Sequence, residues 1–197
     1  MNVGTVFTVF AVIAIAELPD KTMVATVLMG SRGAPLWVWL GAAGAFLIHV
    51  GFAVVAGQLL SHLPHTALEV VVTVLFAGGA AYLLLVPERE EAERGEREAL
   101  GEVPGRHSKV ALSAFGVILV GEFGDLTQVL TVNFVARTHE PASVALGAAA
   151  ALLLVSALGA FSGRALVRVV PSATIRRIGG IALVGFTAYS IAQLVSG

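Results

Sequence analysis

The chain has 197 residues, of which 57% are hydrophobic and 13% are charged, and its formal net charge is -1. Soluble domains carry roughly 25% charged residues, so this composition indicates an integral membrane protein and excludes a separate water-soluble catalytic domain. The near-neutral charge argues against a nucleic-acid partner, which requires concentrated positive charge. Because the chain has no cysteine, disulfide bonds, thiol catalysis and thiolate metal sites are excluded as well.

Long apolar stretches predict six transmembrane helices, since a helix that crosses the bilayer needs about 20 apolar residues. In chain order they cover residues 3–30, 35–60, 66–86, 110–136, 142–163 and 174–195. The predicted fold class is therefore an all-α integral membrane protein with six spans. A lipid bilayer is its first expected partner, and the sequence leaves open whether the chain also forms a homo-oligomer.

The third and fourth spans are separated by a charged linker, residues 87–109. It holds seven of the 13 acidic residues and five of the 12 basic residues, a mixture typical of a solvated, partly helical connection. No Lys or Arg precedes the first apolar stretch, which argues against a cleaved signal peptide.

An internal repeat relates the two halves of the chain. The sequence ELPDKT at residues 17–22 aligns with EFGDLT at residues 122–127. The repeats then extend over residues 1–86 and 110–197, with three helices in each. An odd number of spans per repeat forces the two halves into opposite orientations, which is the inverted-repeat plan of many secondary transporters.

Both copies of this motif also carry residues that interrupt a helix. Pro19 interrupts the first span, and Gly121 and Gly124 loosen the fourth. Helices broken at corresponding points of two halves release backbone carbonyl groups as ligands, and they indicate the binding site of a transporter. We therefore expect the first and fourth helices to be broken.

Four acidic residues lie deep inside predicted spans: Glu17, Asp20, Glu122 and Asp125. A central Asp costs roughly 2.5 to 3.5 kcal/mol on insertion scales, so an intramembrane carboxylate indicates a functional site. The i, i+3 spacing puts the two carboxylates of each motif on one helix face. Facing each other across the repeat axis near the bilayer midplane, the two copies would gather four carboxylates.

Neutral oxygen atoms surround these acids. Thr22, Thr127 and Gln128 lie on or beside the same faces, and the sequence places no Cys and no His close to the motifs. Such an oxygen-rich site suits a hard divalent cation such as Ca²⁺, Mn²⁺ or Mg²⁺.

Charge balance in this predicted site favours exchange of metal for protons. Four carboxylates around one dication leave two surplus negative charges, which favours proton uptake when the metal leaves. Lys21 is either a counter-ion to these acids or a coupling residue. His62 and His65, which flank the turn after the second span, are expected to mark the membrane interface rather than to bind metal.

The distribution of basic residues predicts the orientation in the membrane. Eleven of the 12 Lys and Arg residues lie in or beside the first-to-second, third-to-fourth and fifth-to-sixth connections, and only Arg137 lies on the opposite side. Lys21 is buried in a span and counts little, which leaves ten against one. The positive-inside rule then predicts a cytoplasmic central linker and external termini, in the cell membrane.

The doubled motif resembles that of a six-helix cation/proton exchanger family, catalogued as uncharacterised protein family 0016, which contains Golgi Ca²⁺/Mn²⁺ transporters and bacterial manganese exporters. Its mark is E-x-G-D, then Lys or Arg, then Thr or Ser, once in each half. The family's metal-binding acids match Glu17, Asp20, Glu122 and Asp125, with hydroxyl groups at Thr22 and Thr127 and the basic position of the first copy at Lys21.

The resemblance has two departures and a functional implication. Pro19 replaces the glycine of the first copy, and Leu126 replaces the basic residue of the second. The resemblance implies export of Mn²⁺, or of Ca²⁺, from the cytoplasm in exchange for protons, with no prosthetic group and no enzymatic activity. The short chain favours a bacterial protein and hence manganese.

Three other functions are compatible with parts of this pattern. A six-helix amino-acid exporter has a similar size and span number. A membrane-embedded metalloenzyme could also use clustered acids, but it would need a catalytic group outside the motifs and would not need a repeat. A membrane assembly protein would leave the acids at the midplane unexplained.

Overall fold

Seven helices make up most of the described chain. The computed structural model describes residues 1–18, 21–31, 34–85 and 107–162, and residues 181, 184–185, 187–188 and 191–192. Within these ranges the regular structure is helical and contains no β-strand. The helices are α1 (Val3–Glu17), α2 (Lys21–Gly30), α3 (Pro35–Leu60), α4 (His65–Leu85), α5 (His107–Gly121), α6 (Leu126–Thr138) and α7 (Pro141–Ser162).

Two of these helices, α3 and α7, are long and apolar enough to cross a membrane. The pair α5 and α6 passes the same test together but is bent by 67° at its break, while α1 is a shorter apolar helix. The described residues therefore contain two clear spans, or three with the bent pair counted as one. The predicted membrane character and the all-α class are confirmed.

The predicted spans agree with the helices to different degrees. The second span coincides with α3, the third and fifth correspond to α4 and α7, and the fourth corresponds to the bent pair. Most of the sixth span, residues 174–195, and most of the linker, residues 87–109, lie outside the described residues. The last three residues assigned to the linker, starting at His107, already belong to α5.

Each helix that carries a motif stops at it. In the first half α1 ends at Glu17 and α2 begins at Lys21, and in the second half α5 ends at Gly121 and α6 begins at Leu126. The second break turns at Gly124, whose φ of 79° lies in the left-handed region that glycine adopts without steric cost. The predicted break of the fourth helix is confirmed.

Helix α3 runs parallel to the bent pair and antiparallel to α7. A Cβ atom on Gly41 would meet the backbone of Ala111 in α5, and one on Gly57 would meet Val135 in α6. Both chains therefore advance in the same direction. The Trp39 indole N–H, near the start of α3, donates to the carbonyl of Leu153, in the second half of α7, at 3.1 Å. Helix α7 therefore runs back toward the start of α3.

Helix α7 in turn runs parallel to α1 and α2. Gly147 faces the backbone of Val6 in α1, and Gly159 faces Thr26 in α2. Because α7 is antiparallel to the bent pair, α1 and α2 run opposite to α5 and α6. The apolar core fills the space between these helices, with Ile13, Phe46, Leu130 and Leu152 among its buried residues.

The glycine contacts generate a prediction about stability. Gly41→Ala places a Cβ atom in collision with the Ala111 carbonyl oxygen, and overpacking of this kind costs about 1 to 3 kcal/mol. Gly51 lies on the same helix with nothing within 4 Å of such an atom, so Gly51→Ala gains only helix propensity, about 1 kcal/mol at most. Thermal unfolding in detergent should show a lower midpoint for Gly41→Ala and an equal or higher one for Gly51→Ala. A Gly41→Ala variant as stable as wild type would contradict this close helix contact.

Candidate functional site

Glu17 and Glu122 are buried at the two helix breaks. Glu17 is the last residue of α1 and is 1% exposed, whereas Glu122 directly follows α5 and is 4% exposed. Carboxylates are almost never buried to this extent unless they are paired or bind a cation. Their burial agrees with the functional role that their position in the sequence suggests.

Of the other charged residues in the motifs, the structure describes the side chain of Asp125 but not those of Asp20 and Lys21. Asp125 occupies the N-cap position of α6 and is partly buried. Asp20 and the side chain of Lys21 lie outside the described part of the chain. The structure therefore describes the surroundings of three of the four predicted acids.

A hydrogen bond joins the two motif copies. The Thr22 hydroxyl, in α2, donates to Oε1 of Glu122 at the other break, and Thr22 is 3% exposed. Two groups separated by 100 residues thus meet in the interior. The bond connects the first half of the chain to the second at the motif itself.

The helices that follow the breaks share a second feature. The Thr26 hydroxyl donates to the Thr22 carbonyl oxygen at 2.9 Å, and the Thr131 hydroxyl donates to the Thr127 carbonyl oxygen at 2.7 Å. Such bonds to the i-4 carbonyl let a hydroxyl group be buried in a helix. The two halves therefore agree in hydrogen bonding as well as in sequence.

A small cavity lies beside the second break. Its volume is about 10 Å³, which is roughly the room that one water molecule requires. Helices α3 and α7 contribute its apolar walls. Its polar lining consists of Glu122, Thr127, Gln128, Thr131 and His49.

His49 corrects one of the sequence expectations. The motifs have no His nearby in sequence, yet His49 from α3 lines the cavity and is 4% exposed. The expectation that no His lies near the site is therefore wrong, because helix packing brings α3 against the break 73 residues later in the chain. The available signal was a single ionisable residue within an otherwise apolar span.

Gln128 connects the break to His49. Its Oε1 atom accepts a hydrogen bond from the Gly124 N–H at 2.7 Å, and its Nε2 atom lies 3.4 Å from Nδ1 of His49. The side chain expected to offer an oxygen to a cation thus also holds the turn of the second break.

The predicted cluster of acids is only partly visible. Among the described side chains, no group of three or more acidic or His residues is close enough to hold a metal ion. The structure instead brings Glu122 together with hydroxyl and amide groups.

The two His residues after α3 lie away from this cavity or outside the described residues. His62 is exposed, and its Nδ1 atom donates to the Gln58 carbonyl at 2.7 Å. The side chain of His65 lies outside the described part of the chain.

This arrangement favours binding of a small, hard cation. A buried carboxylate with hydroxyl and amide oxygen atoms around it provides the donor types that Ca²⁺, Mg²⁺ and Mn²⁺ prefer. Carboxylates bind either a metal ion or a proton, because metal binding requires the deprotonated form. The same group can therefore alternate between a metal ion and a proton.

Comparison with known proteins agrees with this chemistry. The family model described as divalent cation/proton antiporter GDT1 matches residues 5–91 and 110–196. GDT1-like protein 3 of Arabidopsis thaliana is 26% identical over 93% of this chain and 69% of its own length. GDT1-like protein sll0615 of Synechocystis is 26% identical over 86% of this chain and 87% of its own.

A further relative is longer than this chain. Protein PAM71, chloroplastic, of Arabidopsis thaliana is 24% identical over 95% of this chain, which spans 56% of that protein. No solved structure matches the chain significantly.

The bond between the motif copies predicts a specific pattern of stability. Thr22→Val removes the hydroxyl that donates to Glu122, and hydrogen bonds to charged groups contribute about 1.5 to 3 kcal/mol. Thr22→Ser keeps the donor. Thermal unfolding in detergent at neutral pH should show a clear loss for Thr22→Val and a smaller one for Thr22→Ser. Equal midpoints for the two variants would show that the hydroxyl does not stabilise Glu122.

Proposed function

Because the chain belongs to the GDT1 family of divalent cation/proton antiporters, we propose that it exports Mn²⁺, or alternatively Ca²⁺, from the cytoplasm in exchange for protons. Members of this family are transporters and not enzymes, so the buried carboxylates bind a transported ion. No prosthetic group enters the proposal, and the cation and the protons are the substrates.

The observation that carries this proposal is the hydrogen bond from Thr22 to Glu122. It joins the two motif copies, which lie at helix breaks where ligands become accessible. The proposed site consists of the acids Glu17, Asp20, Glu122 and Asp125 and the neutral groups of Thr22, Thr127 and Gln128. Lys21 is proposed to couple the metal and proton steps by offsetting one negative charge.

Mn²⁺ is the first candidate ion, and Ca²⁺ is the alternative. Sites built from carboxylate and neutral oxygen groups suit both ions. The choice of Mn²⁺ rests on the resemblance of the doubled motif to a family that includes bacterial manganese exporters.

Proton exchange follows from the chemistry of the ligands. Carboxylates must be deprotonated to bind a metal ion, so metal binding releases protons and becomes weaker as the pH falls. When the metal leaves, protons return to the acids and remove the unfavourable negative charge from the membrane interior. The same acids thereby couple the two fluxes in opposite directions.

We propose six spans arranged as two inverted three-helix repeats, residues 1–86 and 110–197, joined by the linker 87–109. The opposite directions of α1–α2 and α5–α6 support this arrangement. The family model supports it as well, because its two matched segments begin and end 105 residues apart, the same offset as the two motifs. The distribution of Lys and Arg supports a cytoplasmic linker and external termini in the cell membrane.

Metal binding to the purified protein tests this proposal. Glu122→Gln keeps the shape of the side chain but removes a charged ligand, and we expect at least a tenfold weaker Mn²⁺ affinity, about 1.4 kcal/mol. Wild-type affinity should fall as the pH is lowered, and Mn²⁺ should release protons into weakly buffered solution. Isothermal titration calorimetry in buffers of different ionisation enthalpy measures both quantities.

Glu140→Gln is the matched control for this measurement. Glu140 lies in the turn between α6 and α7, outside the cavity, so its replacement should leave Mn²⁺ affinity unchanged. An unchanged affinity in Glu122→Gln, or Mn²⁺ binding without proton release, would contradict the proposed site.

A further inference from the structure

His49 is an ionisable residue buried inside a membrane span. It lies in the middle of α3, a 26-residue apolar helix, and is 4% exposed. Placing such a group in the membrane interior is costly, so its presence there indicates a function. The cation site proposed above does not include His49 and so gives it no role.

The hydrogen bonds around His49 define the role of its Nδ1 atom. The Gly124 N–H can only donate, and it donates to Oε1 of Gln128 at 2.7 Å. The amide nitrogen of Gln128 is therefore the end that faces His49, with Nε2 3.4 Å from Nδ1. Because this amide nitrogen is a donor, Nδ1 of His49 acts as the acceptor in this contact.

Aromatic contacts hold the same segment against α3. The ring of Phe123, inside the break, lies 6.2 Å from the His49 ring and 6.5 Å from the Phe52 ring, measured between centroids. The segment 122–125 is thus linked to α3 by Gly124, through Gln128, and by the ring of Phe123. Glu122 is the first residue of this segment.

We propose that His49 is a positioning residue of the transport site. Through Nδ1 it holds Gln128, Gln128 holds Gly124, and this chain of contacts keeps Glu122 at the wall of the cavity. The inference rests on the proposed function, since it assigns His49 to the cation site at Glu122. It also makes α3, a helix without a motif, part of the site.

The second ring nitrogen of His49, Nε2, suggests an alternative role, in which the ring binds the ion directly. Nε2 of His49 is buried and has no hydrogen-bond partner among the described residues, and the ring lines the cavity. A direct role toward the ion would depend on Nε2, whereas the positioning role depends on Nδ1. The two roles can be separated because an Asn side chain places its polar group near the Nδ1 position and a Gln side chain reaches the Nε2 position.

Three substitutions distinguish these roles by Mn²⁺ binding, measured by loss of the free Mn²⁺ resonance in electron paramagnetic resonance of purified protein. We expect His49→Asn to keep the dissociation constant within about threefold of wild type, whereas His49→Gln and His49→Leu should raise it about tenfold, as the loss of one hydrogen bond to a buried group implies. Gln128→Leu removes a proposed ligand as well as this contact and should cause at least the same loss, and the double variant with His49→Leu should lose no more than Gln128→Leu alone.

Hydrogen exchange of the segment 121–128 provides a readout that does not depend on the metal. The Gly124 amide should exchange faster in His49→Leu and His49→Gln than in wild type, and His49→Asn should restore its protection. His62→Gln, a replacement at an exposed residue at the end of α3, should change neither readout. If His49→Leu does not fold, the comparison of His49→Asn with His49→Gln by exchange still decides between the two nitrogen atoms.

The outcomes separate this inference from the function on which it rests. Rescue by Gln and not by Asn would overturn the positioning role and assign Nε2 to the ion. Equal affinity and exchange in all His49 variants would overturn any role of this residue. Failure of the wild-type protein to bind Mn²⁺ would instead overturn the proposed function, while the exchange pattern would still report on the contact between His49 and Gln128.

Discussion

A carboxylate buried among apolar helices must be hydrogen-bonded, or neutralised by a cation or a proton, because its charge is otherwise too costly in a low-dielectric interior. Glu17 and Glu122 impose this requirement at the two helix breaks. The Thr22 hydroxyl meets part of it at Glu122. A buried carboxylate can meet this requirement with a metal ion or with a proton, so the cost of burial and cation/proton exchange have the same physical origin.

Close helix contacts make this burial geometrically feasible. Glycines on α3 face the bent pair, and glycines on α7 face α1 and α2. Small residues let the helices approach closely without a hydrophobic driving force between them. The approach is tight enough for Thr22 in one half to reach Glu122 in the other. Each long helix therefore serves as a support for a broken helix that carries a motif.

Much of this architecture could be predicted from the sequence, since apolar length and helix-breaking residues are local signals. The predicted span 35–60 coincides with α3, and the break at Gly124 lies where the glycines of the second motif indicated it. The family resemblance is likewise confirmed by the match to both halves. These features depend on residues that are neighbours in sequence.

The surroundings of Glu122 could not be predicted in the same way. In a helix that is apolar all round, the sequence does not indicate which face meets a neighbour, so the rotation that aims His49 at the cavity left no periodic signal. The double use of Gln128, which holds both Gly124 and His49, depends on two contacts between segments distant in sequence. Such groups become apparent only when the helices are packed together.

Transport in proteoliposomes tests the central claim most directly. Protein reconstituted with a pH indicator inside the vesicles, and with a pH gradient of either sign, should move Mn²⁺ against the direction of proton flow, and each ion gradient should drive the other ion. Ca²⁺ and lysine, offered in parallel, measure ion selectivity and test the amino-acid exporter. Mn²⁺ flux that is independent of the pH gradient, or lysine flux without Mn²⁺ flux, would contradict the account.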